Sequence, residues 1–102
     1  MIKLKSGVKV SGLKSELLVG MIIVASAYAE YDIDCVITSG NDSTHKEHSD
    51  HYKGYAVDFR VNNIPTIEIR EAIEKKVKEA LTDDYVFLFE TNHFHLGYKP
   101  IK

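Results

Sequence analysis

The chain has 102 residues, is 44% hydrophobic and 27% charged, and carries a formal net charge of −2. That is the size and balance of one globular domain spanning 1–102 with a single modest core. It excludes the basic excess of a nucleic-acid binder and any long tail of like charge. Cys35 is the only cysteine, which excludes an intramolecular disulfide and a cysteine-based zinc site.

Residues 2–10 alternate loosely and predict a short edge strand, broken by Ser11 and Gly12. The spacing then predicts a helix over 13–30. Its stretch "LLVGMIIVASAYA" follows Lys3, Lys5, Lys9 and Lys14, and "ASA" superficially resembles a signal-peptidase site. Glu16 lies directly against the apolar run, however, and cleavage would remove a large share of a small core. At 17–29 the run is also shorter than the ~20 residues a bilayer needs. It reads as a buried core helix, and synthesis in the cytoplasm with no membrane span is expected. "CVIT" reads as a strand in which Cys35 is a small buried hydrophobe. "SGNDSTHKEHSDHYKG" is polar and bounded by glycine, a long loop of the kind that carries function in small domains.

"YAVDFRV" alternates: Tyr55, Val57, Phe59 and Val61 face one way, Ala56, Asp58 and Arg60 the other. "NNIP" can open a helix near Pro65, and "TIEIREAIEKKVKEAL" carries Ile69, Ile73, Val77 and Ala80 at helical spacing. The charges between them read as the wet face of a surface helix. "DYVFLFE" and "HFHLGY" make two strands joined by a turn near Thr91 and Asn92. The expected class is α+β, a small antiparallel sheet with two helices packed on it.

All five histidines fall in two short stretches, His45, His48 and His51 in the loop and His93 and His95 in the last strand. Asp58 lies among Tyr55, Ala56, Val57 and Phe59, where an unpaired carboxylate costs several kcal/mol. A dication would neutralise it. Zinc takes histidine nitrogen and carboxylate oxygen, and a catalytic site uses three protein ligands plus a water. His51, Asp58 and His95 can supply the three, while Ala56 and Gly54 leave space beside the carboxylate. His93 and His95 share a strand face opposite Phe94 and Leu96, so one can bind the metal and the other stand beside the water or substrate. Glu90, at the turn, is a candidate general base. His48 reads as a solvent-exposed histidine, and Tyr52, Tyr55, Tyr85 and Tyr98 as packing groups.

"SDHYKGYAVDF" fits the pattern S-x-H-x-x-G-x-A-x-D and "ETNHFH" fits E-x-x-H-x-H. At ordinary residue usage the first pattern arises by chance in roughly a few chains per hundred thousand of this length. Together the two resemble the zinc peptidases of the D-alanyl-D-alanine carboxypeptidase family. That family includes the L-alanyl-D-glutamate endopeptidases of phage endolysins and is structurally related to the hedgehog amino-terminal domain. The resemblance covers about 35–98 and implies a hedgehog/DD-peptidase-like fold. It also implies zinc held by His51, Asp58 and His95, with Glu90 and His93 lining the zinc-bound water. His45 matches a further histidine near the water in the hedgehog-type relatives, and Ser49 opens the motif and braces the loop. One departure matters. Many members carry "SGxR", whose arginine holds a substrate carboxylate; here the stretch is "SGND", and Arg60, on the face of Asp58, is the candidate substrate-binding residue.

The expected activity is therefore hydrolysis of peptidoglycan stem peptides, at a D-alanyl-D-alanine terminus or an L-alanyl-D-glutamate bond, by a monomer that binds neither nucleic acid nor membrane. The chain length corresponds to the bare catalytic unit. The enzyme would be a phage or bacterial protein that reaches the wall through a holin or in a virion, or that works on soluble fragments in the cytoplasm. The alternative from another class is a catalytically silent, zinc-stabilised binding or virion-structural module of the same fold. The missing "SGxR" arginine favours the alternative; the retained Glu90 and His93 favour the enzyme.

Overall fold

A computed structural model describes residues 2–40 and 55–99. The elements in chain order are β1 (Ile2–Leu4), α1 (Ser15–Ala29), β2 (Cys35–Ser39), β3 (Ala56–Arg60), α2 (Ile67–Ala80), β4 (Tyr85–Glu90) and β5 (His93–Tyr98). The five strands form one sheet in the order β1-β2-β3-β5-β4. All its pairs are antiparallel except β1 with β2, which run parallel. The α+β class stands as expected, with a mixed sheet in place of a purely antiparallel one. The cause is α1: a helix between two adjacent strands carries the chain back along the sheet, so the second strand starts at the same end as the first.

Both helices contact each other and the sheet, α1 on β2 and β5, α2 on β4. The alternate residues of the central strands that face them build the core. Val57, Phe59, Phe94 and Leu96 are fully buried and cluster with Leu17, Val24 and Tyr28 of α1 and Ile73 and Val77 of α2. Phe94 is the hub of the aromatic part, with ring centroids 4.8 Å from Phe87, 5.9 Å from Phe89 and 6.4 Å from Tyr28. Edge-on and tilted arrangements like these add roughly 0.5–1.5 kcal/mol per pair to the burial itself.

α1 is apolar all round but is buried along one stripe only. Leu17, Gly20, Met21, Val24, Ala27 and Tyr28 pack inward, whereas Leu18, Val19 and Ile22 are exposed. The expected buried core helix is thus a one-sided one. Gly20 selects the stripe, because a Cβ there would stand 2.9 Å from the Tyr85 ring and 3.1 Å from Leu96. The Tyr85 ring is itself fixed by its hydroxyl, which donates to the Glu16 carbonyl at 2.6 Å. The Tyr28 hydroxyl donates to the Arg60 carbonyl at 2.6 Å, joining α1 to the end of β3, and its burial pushes its pKa far up so that it stays a donor. α1 ends where Asp32 turns left-handed at φ 57°, with Ile33 N–H reaching the Tyr28 carbonyl at 3.2 Å. Aspartate is one of the few residues that tolerates this position.

α2 has the expected amphipathic design. Thr66 caps it, its hydroxyl accepting the Ile69 N–H at 3.1 Å, and Lys78 pairs with Glu74 one turn away at 2.7 Å. Its apolar stripe closes on Leu81, beyond the helix, while Ala80 faces solvent. Cys35 is fully buried, and desolvation pushes its thiol up to about 12, as suits a small core residue.

Candidate metal and peptide site on the sheet face opposite the helices

Side chains that alternate with the core positions point to the other face of the sheet. The strand register sets them out in rows. Asp58 of β3 lies directly across from His95 of β5, which lies across from Leu88 of β4. In the next row Arg60, His93 and Glu90 are aligned in the same way. The β4–β5 hairpin closes this second row through Thr91 and Asn92, as expected from the sequence. Thr91 sits at φ 48°, a left-handed conformation uncommon for a β-branched residue, and the Asn92 N–H bonds back to the Glu90 carbonyl. The hairpin therefore stores backbone strain at the point where it sets Glu90 beside His93.

Four titratable side chains converge here. His95 Nδ1 is 3.0 Å from Asp58 Oδ1, and His93 Nε2 is 3.8 Å from the same oxygen. Glu90 Oε1 is 3.8 Å from His95 Nδ1 and 4.0 Å from His93 Nε2. Exposure is graded across the group: the Asp58 side chain retains 13%, His95 19%, His93 31% and Glu90 50%. Asp58 and His95, two of the three groups expected to bind metal, are the innermost of the four, and the expected base is the most exposed. The carboxylate of Asp58 is thus not stranded among apolar neighbours. It accepts the His95 Nδ1–H, and a charge-assisted bond of this kind offsets much of its desolvation.

Two features orient the imidazoles. His95 Nε2 lies on the side of Gly97, where a Cβ would stand 3.5 Å from it. Gly97 is paired with Ala56, so the smallest side chains of β3 and β5 sit next to the Asp58–His95 row. His93 Nδ1 is 3.0 Å from Asn92 Oδ1. That oxygen accepts, so Nδ1 carries the hydrogen and Nε2 is presented to Asp58 and Glu90. Asn92 occupies a free position of E-x-x-H-x-H, and its signal in the sequence is only that it adjoins His93.

A polar cavity of about 360 Å³ opens beside the group, lined by Asp58 and His93 together with Lys5, Thr38, Arg60, Asn62 and Asn92. Arg60 was expected at the site from its strand face. Lys5, Thr38 and Asn62 were not, since they come from three separate segments with no motif between them.

Asp58 and His95 fit a shared zinc ion only if it takes the place of the proton on His95 Nδ1 that joins them in the metal-free structure. Two ligand atoms about 2.0–2.1 Å from a tetrahedral zinc are separated by roughly 3.3 Å, close to the 3.0 Å between Asp58 Oδ1 and His95 Nδ1. Among the described residues no group of three or more His, Cys, Asp or Glu side chains is arranged to hold a metal ion. His51, the third donor expected, lies outside the described residues, as do His45, His48, Ser49, Tyr52 and Gly54. Among the described residues no helix is long and apolar enough to cross a membrane. No protein-family model matches the chain, and neither a curated protein nor a solved structure matches it.

Proposed function

We propose that the chain is a zinc-dependent metallopeptidase that hydrolyses peptidoglycan stem peptides, with a hedgehog/DD-peptidase-like fold. The observation that carries the reading is the convergence of Asp58, His95, His93 and Glu90 within 4.0 Å steps on the face of the sheet opposite the helices. These are the residues of the two sequence motifs, brought together across 37 positions of chain. His51, Asp58 and His95 would hold the zinc ion, which when bound supplies an acidified water and polarises the scissile carbonyl.

The remaining work falls to the protein's own side chains. Glu90, half-exposed and anchored at the hairpin, is placed to take a proton from the attacking water and deliver it to the leaving amine. His93, its ring oriented by Asn92, can present an N–H to the developing oxyanion once Nε2 is protonated. His45 belongs to the same reading as a further group near the water. Arg60, in the row of His93, faces the substrate. A D-alanyl-D-alanine terminus and an L-alanyl-D-glutamate bond are the two candidate scissile positions. A monomer delivered to the wall by holin release or in a virion completes the proposal.

One observation favours a second reading. The Asp58–His95 contact joins β3 to β5 at 3.0 Å, so the group can also serve as a cross-strand clasp in a catalytically silent, zinc-stabilised module. Mass spectrometry of purified peptidoglycan and soluble stem peptides after incubation with the zinc-loaded protein separates the two. A product formed by the wild type and absent with Glu90→Ala, at equal bound zinc, is the expected result, and its mass names the bond. Bound zinc with no product from any substrate would replace the peptidase with the silent module.

A further inference from the structure

The outward sides of the two helices differ in kind. α2 fills its solvent side with Glu68, Glu71, Lys75, Lys78 and Glu79, all exposed. α1 carries no charged residue from Leu17 to Ala29, and its outward stripe is Ser15, Leu18, Val19, Ile22, Ser26 and Ala29. Val19 keeps 55% of its surface in water and Ile22 60%. Large apolar side chains exposed together along one helix mark a contact surface. The stripe adjoins an apolar groove of about 190 Å³ between the helices, lined by Ile22, Ile23, Ser26, Ala27 and Ala80 and bordered by the paired Glu30 and Lys76. α1 packs on the sheet from the side opposite Asp58 and His95, so this surface is remote from the histidine site.

We propose that this stripe is a two-fold interface at which a second copy of the chain docks, α1 against α1 and antiparallel, centred on Ile22. Three arguments select a second copy. The first is size: along the stripe bulky Leu18 and Val19 precede Ile22, and small Ala25 and Ser26 follow it. In an antiparallel pair Ile22 meets its own counterpart, Leu18 of each copy covers Ala25 of the other, and Val19 covers Ser26 beside the groove. At about 3.6 residues per turn each of these contacts keeps to one side of the seam, as a self-complementary interface requires. The second is charge. Glu16 and Glu30 close the stripe at its two ends and would face acidic headgroups on a lipid surface. In the pair Glu16 of each copy comes near Glu30 of the other, and Lys76, already paired with Glu30, supplies the cation between them. The third is area. Two such stripes with the adjoining edges of α2 would bury about 1,000–1,200 Å² in all, the lower end for specific pairs and suited to a Kd on the order of 10–100 µM. The inference goes beyond the peptidase reading, whose monomer is the dilute form of this equilibrium. Both histidine sites face away from the interface, so a pair can engage one polymeric ligand at two points.

Sedimentation equilibrium of the full chain, from about 5 to 500 µM to bracket that Kd, tests it. The average mass should rise from one chain toward two across the range, and high salt should not reverse the rise, because the contact is apolar. Ile22→Lys puts two charges at the centre of the pair and should weaken it by about tenfold or more. Ser26→Leu adds apolar surface yet fills the space that Val19 of the copy needs, so it should also weaken the pair. Ile22→Cys should form a covalent dimer on mild oxidation and Lys78→Cys, on α2, should not; Cys35 is fully buried and does not compete. All three positions are exposed, and circular dichroism would confirm that the variants fold. A chain that stays monomeric at the top of the range, an Ile22→Lys variant that still pairs, or a Ser26→Leu variant that pairs more tightly would overturn the interface. So would failure of Ile22→Cys to cross-link. A monomeric chain that floats with phosphatidylglycerol vesicles would overturn it in favour of a lipid contact.

Discussion

The two faces of the sheet are made by the same strands and have opposite chemistry. On β3 and β5, Val57, Phe59, Phe94 and Leu96 are fully buried under the helices, and Asp58, Arg60, His93 and His95 alternate with them on the other side. Core and site are therefore separated by one residue in sequence and by the thickness of the sheet in space. Such interleaving makes the geometry of the site precise, since each of its groups is fixed by packed neighbours on both sides. It also means that neighbouring substitutions should have unlike consequences, and this contrast can be attacked directly.

The largest effect is expected at Phe94. Replacing it by alanine removes the aromatic hub and should cost about 3–5 kcal/mol in urea unfolding. His93→Ala, one residue away and on the other face, should leave the urea midpoint nearly unchanged. Similar losses for the two would break the division into a structural and a chemical face. Next comes the Asp58–His95 pair, which lies between the two regimes because it is buried and polar at once. His95→Ala should cost about 2 kcal/mol by leaving the carboxylate without that partner. The double change with Asp58→Asn should cost less than the sum of the two single changes, a non-additivity that a double-mutant cycle measures. Smaller still, Thr66→Ala removes the cap of α2 and should cost about 1 kcal/mol, far from either face of the site. The last effect has the opposite sign. Thr91→Gly relieves the left-handed strain of the hairpin, about 1–3 kcal/mol less the roughly 0.5–1 kcal/mol entropic cost of glycine, and should stabilise the fold by about 1 kcal/mol. If the strain serves to hold Glu90 against His93, the same change should lower activity while raising the melting temperature.

The alternation of "YAVDFRV" and "HFHLGY" was legible because a strand has a period of two, and burial on one face leaves little freedom in register. The Thr91–Asn92 turn and the meeting of Asp58 with His95 follow from it once the strands are paired. The parallel pairing of β1 was not legible from its three residues, Ile2–Leu4. It comes from α1 returning the chain across the sheet, a consequence of topology and not of any local pattern. The inward stripe of α1 was hidden for another reason. A helix apolar on every side carries no periodic signal, and its orientation is decided by the close approach of Gly20 to Tyr85 and Leu96. Lys5 entered the cavity in the same unannounced way, since its neighbours there are remote in sequence and share no motif with it.

Zinc content after exhaustive dialysis, measured for the wild type and three variants, tests the central claim most directly. The account predicts one bound zinc per chain in the wild type and in His93→Ala, and its loss in Asp58→Asn and His95→Ala with the fold retained by circular dichroism. A wild type that binds no zinc, or Asp58→Asn and His95→Ala variants that both keep it, would contradict the claim that the face of the sheet opposite the helices is a metal site.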